Sequence, residues 1–257
     1  PSAVLGLVLA RLGRLDEGLT LLETAVRLSE ELGINAYLAL WTAHLGEGLL
    51  VAGHLERAHT VAQRALDLAR THQEAGHEAW AQWLLGEIAV ERSAEDAATA
   101  EGHYRGALTL GEELALRPLV ARVHLGLARL ARRRGDGAAA ETALTRATTD
   151  FCEMDMRFWA QEACAELGAL GNLLVVAREQ QGLYDYLSQV SAKSDRLLVI
   201  LDRRQGDRRR QASPDSPERR RRDRRANTRT EDLAQRGFVV ISDPPGTADR
   251  PEEPPGG

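Results

Sequence analysis

The sequence has little lysine, cysteine or methionine and no long apolar run. Its 257 residues include two cysteines, two methionines and a single lysine, Lys193. It has neither a run of about 18 apolar residues nor a basic leader followed by an apolar segment, which excludes a predicted membrane-spanning helix and signal peptide. We therefore expect a cytoplasmic protein without membrane contact. Because the first residue is Pro1, we also expect a longer gene product.

The few cysteine and histidine residues do not form a metal-binding pattern. Cys152 and Cys164 each stand alone in a helical pattern, and we predict buried free thiols. His72 and His77 lie close to two glutamates, Glu74 and Glu78. A spacing of five residues places the two imidazoles on different faces of a helix, so we predict solvated residues and no metal ion.

An internal repeat with an offset of 40 residues is the clearest positive signal. The segment from Arg11 to Gly18 is matched by the segment from Val51 to Ala58, and each is followed by an alanine seven residues later. The pattern predicts four helical hairpins. Their first helices are expected at about 3–12, 37–51, 77–92 and 118–134, and their second helices at about 15–32, 55–73, 97–115 and 137–152.

Small residues recur where the two helices of each hairpin are expected to cross. A large side chain there would push the helices apart, and a glycine before each second helix would supply the turn. The four tryptophans are interpreted as core residues of first helices. These are Trp41, Trp80, Trp83 and Trp159, and the structural repeat positions are Gly13, Gly18, Ala25, Gly53, Ala58, Ala65, Ala100, Ala107, Gly135, Ala140 and Ala147.

The turn glycines, the paired small residues and the Leu, Ala or Tyr between them resemble the signature of the tetratricopeptide repeat family. The resemblance covers residues 1–168, although the 40-residue period exceeds the usual ~34. It implies a mainly α fold, a right-handed α-solenoid of antiparallel helix pairs, closed by a capping helix at 157–168. The segments 104–128 and 154–159 are similar to C-terminal arrays of large bacterial ATPase or nucleotide-cyclase signalling regulators.

After residue 168 the pattern changes from helical to a small α/β unit. Apolar runs at 173–177 and 197–201 predict buried strands, with a helix at about 180–192 between them. A strand at 238–242 would complete a sheet of at most three parallel strands. We predict a repeat domain at 1–168 and a βαβ unit at 169–202, followed by a disordered Arg-rich segment at 203–229. Residues 230–242 are predicted to form a short helix (230–235) and the third strand, and residues 243–257 a disordered Pro/Gly tail.

Motifs for catalysis are absent from the sequence. No Gly-rich phosphate loop follows either strand, and no Ser/His/Asp or Cys/His set can be assembled. Phosphoacceptor receiver domains need an acidic pair after the first strand, where this chain has Arg178 and Glu179. Asp202 therefore has no partner with which to hold a magnesium ion. We predict that these residues form neither an enzyme nor a cofactor site.

Charge is strongly segregated along the chain. Residues 1–172 carry a net charge of -8 and residues 202–229 carry +7. The basic segment has no aromatic residue for base stacking, so it favours only sequence-independent contact with phosphates, or a solvated linker that pairs with the acidic repeats. The candidate polyanion contacts are Arg203, Arg204, Arg208, Arg209, Arg210, Arg219, Arg220, Arg221, Arg222, Arg224 and Arg225.

Three functional hypotheses follow from these patterns. The leading one is an interaction scaffold of a bacterial signalling protein that binds a partner peptide or domain on the concave repeat surface. The alternative is weak, sequence-independent binding of nucleic acid or another polyanion through the Arg-rich segment. A third is a degenerate α/β regulatory domain that senses a small molecule.

Overall fold

The structure is a computed structural model that describes residues 2–93, 96–170, 173–176, 181–191, 198–201 and 238–241. Helices account for most of these residues. The elements are α1 (Ser2–Arg11), α2 (Leu15–Glu31), α3 (Leu38–Val51), α4 (Leu55–Thr71), α5 (Ala75–Arg92), α6 (Ala97–Glu113), α7 (Arg117–Arg133), α8 (Gly137–Glu153), α9 (Arg157–Ala169), β1 (Leu173–Val176), α10 (Gln181–Ser191), β2 (Leu198–Leu201) and β3 (Phe238–Ile241).

The chain divides into two compact units, residues 1–150 and 151–257. In the first unit three first helices pack against their second helices, α1 against α2, α3 against α4 and α5 against α6. Each second helix also packs against the next first helix, and the first helices α1, α3, α5 and α7 contact one another in succession. The predicted stack of helix pairs is confirmed.

The boundary between the units lies inside α8, and not after residue 168, where we expected the repeat domain to end. The expectation rested on helical periodicity, which continues through α9. In the structure α9 packs against α10, so that helix belongs to the second unit.

The turns between helices explain why the helices end where they do. Gly13, Gly53 and Gly135 have φ values of +85°, +77° and +77°, in the left-handed region that favours glycine. At the first of these turns, the amide of Arg14 donates to the carbonyl of Leu9, which satisfies one of the last carbonyls of α1. The equivalent hydrogen bond recurs at the other two glycines, from the amide of His54 to Leu49 and from that of Asp136 to Ala131. Each glycine therefore ends a first helix and forms the turn that leads into the second helix.

Small residues hold the helix pairs close together. A Cβ atom on Gly18 would lie 2.6 Å from the carbonyl oxygen of Gly6 in the facing helix, so only glycine fits there. Ala58, Ala62 and Ala65 are fully buried along one face of α4. Around these contacts lies an apolar core that runs from α1 to α7.

The second unit contains α9, α10 and a three-stranded sheet of order β2-β1-β3. Strands β1 and β2 are parallel and are joined through α10, whereas β3 runs antiparallel to β1 with Leu173 opposite Ile241. The expectation of an all-parallel sheet is therefore wrong, because an apolar run gives no indication of strand direction. The predicted helix at 230–235 and the segments 203–229 and 243–257 lie outside the described residues.

Both cysteines are free thiols of the second unit. Cys164 is buried and Cys152 is half-buried. Burial raises the pKa of Cys152 to about 12 and raises that of Cys164 as well, so both side chains are neutral thiols at pH 7.

Candidate functional site

The first helices of the array bring polar and aromatic side chains onto one surface, which we call the first-helix face. Spacings of three, four and seven residues place such side chains on one side of each helix. Contacts between helices then join the rows, since α3 and α5 each lie between two other first helices. The face consists of Arg11 on α1; Tyr37, which caps α3, and Trp41, His44 and Glu47 on α3; His77, Trp80, Glu87 and Glu91 on α5; and Arg122, Arg129 and Arg133 on α7.

A buried carboxylate lies at the centre of this face. Glu47 is 3% exposed and accepts hydrogen bonds from the guanidinium groups of Arg11 and Arg122. Burial alone would raise the pKa of Glu47, but the two arginine charges and their hydrogen bonds outweigh it and lower the pKa to about 2. Glu47 is therefore ionised at neutral pH, and it ties α1 to α3 and α3 to α7.

Arg122 also stacks on two indole rings. Its Cζ atom lies 3.7 Å from the ring centroid of Trp83 and 5.2 Å from that of Trp80. A guanidinium over an indole face is attracted by the electron-rich ring as well as by the carboxylate. The combination fixes the Arg122 side chain across α5, so this cation is rigid rather than a mobile surface charge.

A second carboxylate, Glu87, has a similar set of partners one repeat further along the array. The hydroxyl of Tyr104 donates to Glu87 at 2.7 Å, and Arg129 donates to the other oxygen of Glu87 at 3.1 Å. Tyr104 is fully buried and comes from α6, so it enters between first helices α5 and α7. It fits because Gly86 and Gly126 lie against it: a Cβ on Gly126 would come within 2.5 Å of the ring carbon Cζ.

Aromatic rings cover the other end of the face. The ring centroids of Tyr37 and Trp41 are 5.8 Å apart, those of Trp41 and His44 are 5.9 Å apart, and Tyr37 lies 6.0 Å from His77. Tyr37 is 56% exposed, while the other three rings are half-buried. Burial lowers the pKa of His44, so this ring is neutral at pH 7. The cluster is a partly exposed aromatic surface beside the buried charges, and Tyr37 is its exposed member.

The interpretation of the tryptophans as core residues is confirmed for Trp83, which belongs to the core, and in part for Trp41 and Trp80, which pack against it. Trp83 is buried, but Trp41 and Trp80 are half-buried on the first-helix face, and Trp159 is half-buried in the second unit. The interpretation treated all tryptophans alike because hydrophobicity does not distinguish a core position from a surface position beside a charge network.

The predicted structural positions lie in the helix contacts and turns rather than on this face. Gly13, Gly53 and Gly135 form exposed turns, and Ala25 is half-buried. The remaining positions are buried: Gly18, Ala58, Ala65, Ala100, Ala107, Ala140 and Ala147. The predicted polyanion contacts at residues 203–225 lie outside the described residues.

One signal for the face was present in the sequence and was missed. Gly6, Gly46, Gly86 and Gly126 recur at intervals of 40 residues on the first helices, each preceded by leucine. The residues after the second and third of these glycines are Glu47 and Glu87. The period therefore marks both the close contacts and the two carboxylates. Their arginine partners could not be predicted, because Arg122 is 75 residues from Glu47.

The described residues do not contain a group of three or more His, Cys, Asp or Glu side chains that could hold a metal ion. His77 pairs with Glu74 at 3.0 Å, and Glu78 accepts a hydrogen bond from Arg70 at 2.9 Å.

Among the residues that the structure describes, no helix combines the length and the apolar character needed to cross a bilayer.

No family model matches the sequence, and the search of curated proteins gives no match. Several solved structures are similar to this chain in fold, at low sequence identity. A Rap protein complexed with Competence and Sporulation Factor has a TM-score of 0.60 and 15% identity, over 73% of this chain and 50% of that one. BtubC (BKLC) from P. vanneervenii has a TM-score of 0.53 and 19% identity, over 83% of this chain and 84% of that one.

The apo form of RapI matches with a TM-score of 0.49 and 15% identity, over 76% of this chain and 54% of that one. The chain thus spans about half the length of the two Rap proteins. Rap proteins are TPR-like helical repeat proteins, and at these identities the likeness shows the fold alone. The repeat unit of this chain accordingly has a fold similar to that of the TPR-like Rap protein.

Proposed function

We propose that this chain is a protein-interaction module that binds a partner peptide or domain on the first-helix face, within a larger bacterial signalling protein. The observation that carries the proposal is the aromatic cluster beside the buried carboxylate network, in which Tyr37 is exposed and Trp41, His44 and His77 are half-buried. Tyrosine and tryptophan side chains that remain accessible at a surface are enriched in protein-binding hot spots.

The backbone at Tyr37 supports the same proposal. Its φ of +65° lies in the left-handed region, which is costly for an aromatic residue. The strained residue caps α3 and presents its ring to solvent at 56% exposure. Strain of this kind persists where the surrounding structure or a function maintains it, and a partner contact gives Tyr37 such a function.

The rigidity of the face gives binding a physical advantage. Arg122 is 7% exposed and is held by Glu47 and two indoles, so it holds the half-buried ring of Trp80 in place, and that ring loses little side-chain freedom when a partner docks. The Rap structure solved with Competence and Sporulation Factor supports the idea that a helical array of this fold takes a partner. The absence of catalysis, the signalling context and the cytoplasmic location remain predictions from the sequence.

Site-specific photocrosslinking tests the location of the surface. A photoreactive phenylalanine analogue placed at Tyr37 is expected to capture a partner in cells, because that side chain is exposed within the aromatic cluster. The same analogue at Thr60, exposed on second helix α4, is the matched control and is expected to capture no partner. Crosslinks at Thr60 together with none at Tyr37 would place the interaction on the second helices and reject the proposal.

Purified partner then allows the energetic test. Tyr37→Ala is expected to weaken binding at least about tenfold, the size of a hot-spot loss, with the melting temperature maintained. Thr60→Ala is expected to leave the affinity unchanged. Equal affinities for the wild type and Tyr37→Ala would contradict a role of the aromatic cluster.

A further inference from the structure

Among the exposed apolar side chains of helix α1, Leu5 and Val8 occupy positions that the later repeats bury. Leu5 is 52% exposed and Val8 is 48% exposed. The two residues are three positions apart, so they lie on the same side of α1. Together they form an apolar strip on the outer side of the first repeat.

The corresponding positions in the later repeats are covered. The residues 40, 80 and 120 positions after Leu5 are Leu45, Leu85 and Leu125, which are 8%, 1% and 1% exposed. The positions equivalent to Val8 are Gly48, Ile88 and Ala128, and all three are buried. The exposure is therefore a feature of α1 alone among the four first helices that the structure describes.

The second helix of the preceding repeat covers this position in the next one. A Cβ atom on Gly48 of α3 would lie 2.8 Å from Leu22 Cδ1 and 3.3 Å from Leu19 Cδ2, both on α2. Val8 occupies the same place on α1 that Gly48 occupies on α3. The surface at Leu5 and Val8 is thus half of an interface whose complete form is seen between α2 and α3.

We propose that the outer side of α1 docks a further helix pair of the same repeat type. The second helix of that pair occupies the place against α1 that α2 occupies against α3, and it presents leucines at the positions equivalent to Leu19 and Leu22. The argument is continuity with the α2–α3 interface, since one repeat contacts the next through the same positions throughout a stacked array. This surface is separate from the first-helix face and does not depend on its proposed function.

A protein extended by one helix pair tests whether such a pair docks against α1. A copy of residues 2–41 joined directly before Ser2 preserves the 40-residue period and supplies an α2-like helix next to α1. If it docks, we expect one cooperative unfolding transition and a melting temperature raised by about 5 °C or more, because an added repeat contributes nearest-neighbour stability. A second, independent transition at lower temperature, with the original one unchanged, would overturn the proposal.

Substitutions in the original α1 localise the effect. Leu5→Glu with Val8→Glu is expected to abolish the gain in the extended protein, while it changes the melting temperature of the present chain by less than about 2 °C because both side chains are exposed there. Leu114→Glu, at another exposed apolar position, is the control and should preserve the gain.

A second copy of the chain is the competing occupant. Light scattering of the present chain is expected to show a monomer or weak association only. A stable dimer that Leu5→Glu with Val8→Glu converts to monomers would assign the surface to self-association and overturn the proposal. The unfolding and light-scattering measurements do not depend on partner binding by the aromatic cluster, so either proposal can fail alone.

Discussion

At the scale of single residues, the most important contact is that of the buried carboxylate of Glu47 with two arginines, the partly exposed Arg11 and the buried Arg122. Glu47 joins helices that are far apart in sequence, and the removal of a buried ionic partner leaves the others without compensation. The cost of such a change is typically about 3–5 kcal/mol, far more than for an exposed ion pair. The network therefore contributes rigidity to the first-helix face as well as stability.

Glu47→Gln is expected to lower the free energy of unfolding at pH 7 by about 3 kcal/mol or more. The pKa of Glu47 is lowered to about 2 in the folded protein from an ordinary value of 4.5. The stability it contributes is thus fully present above pH 4.5 and is lost as the pH falls towards 2. Urea titrations between pH 5 and 2 should show a shallower pH dependence in the variant.

The control for this change is Glu23→Gln, since Glu23 also pairs with an arginine, Arg57, but on the exposed surface. It is expected to change stability by less than about 1 kcal/mol. Identical pH profiles for wild type and Glu47→Gln would show that the buried pairing does not exist in solution.

Not every turn position with a positive φ is occupied by glycine. Ala115 has a φ of +54°, where a side chain is strained and glycine is not. Ala115→Gly is expected to raise the free energy of unfolding by about 0.5–1 kcal/mol. Ala165→Gly, at an exposed position in the interior of α9, should instead lower it by a similar amount. Thermal denaturation of the two variants distinguishes the cases, and a loss of stability in both would contradict the turn geometry.

At the scale of elements, helices were far more predictable from the sequence than strands or contacts. Helix α4 was expected at 55–73 and runs from Leu55 to Thr71, because Gly53 and the buried alanines mark its start and its inner face. The direction of β3 was not predictable, since the run at Phe238–Ile241 would look the same in either orientation. Strand pairing depends on partners distant in sequence, whereas helix ends depend on local hydrogen bonds.

The candidate face was predictable only in part, because its contacts join residues that are distant in sequence. The tryptophans and glutamates were visible, but the pairing of Glu47 with Arg122 requires three helices to be stacked in register. Sequence periodicity located the residues that shape the array, such as Ala107, because close packing imposes the same small residue in each repeat. Long side chains that reach across α5 follow no such period.

Ala107→Leu is expected to destabilise the third helix pair. Ala107 is fully buried in α6, so extra methylene groups would overpack the contact at a cost of about 1–3 kcal/mol. Ala98→Leu, exposed near the start of the same helix, is the control and should be neutral within about 0.5 kcal/mol. A melting temperature that does not change in Ala107→Leu would count against the predicted repeat register.

At the scale of the whole molecule, the array combines one face that we assign to a partner with a series of second helices that are joined by exposed ion pairs. Arg57 bonds to Glu23 and Arg64 to Glu30, and each pair joins α4 to α2. Exposed pairs of this kind contribute little binding energy. The aromatic residues and the fixed cations lie instead on the first helices, which is why we place recognition there.

The four tryptophans allow a direct test of that placement. Trp41 and Trp80 lie on the first-helix face, Trp83 is buried beneath Arg122, and Trp159 belongs to the second unit and is the internal control. In ¹⁵N-labelled protein, saturation with the purified partner is predicted to shift the indole N–H signals of Trp41 and Trp80 and to leave that of Trp159 in place. A shift of Trp159 with Trp41 and Trp80 unchanged would contradict the assignment of the first-helix face as the partner-binding surface.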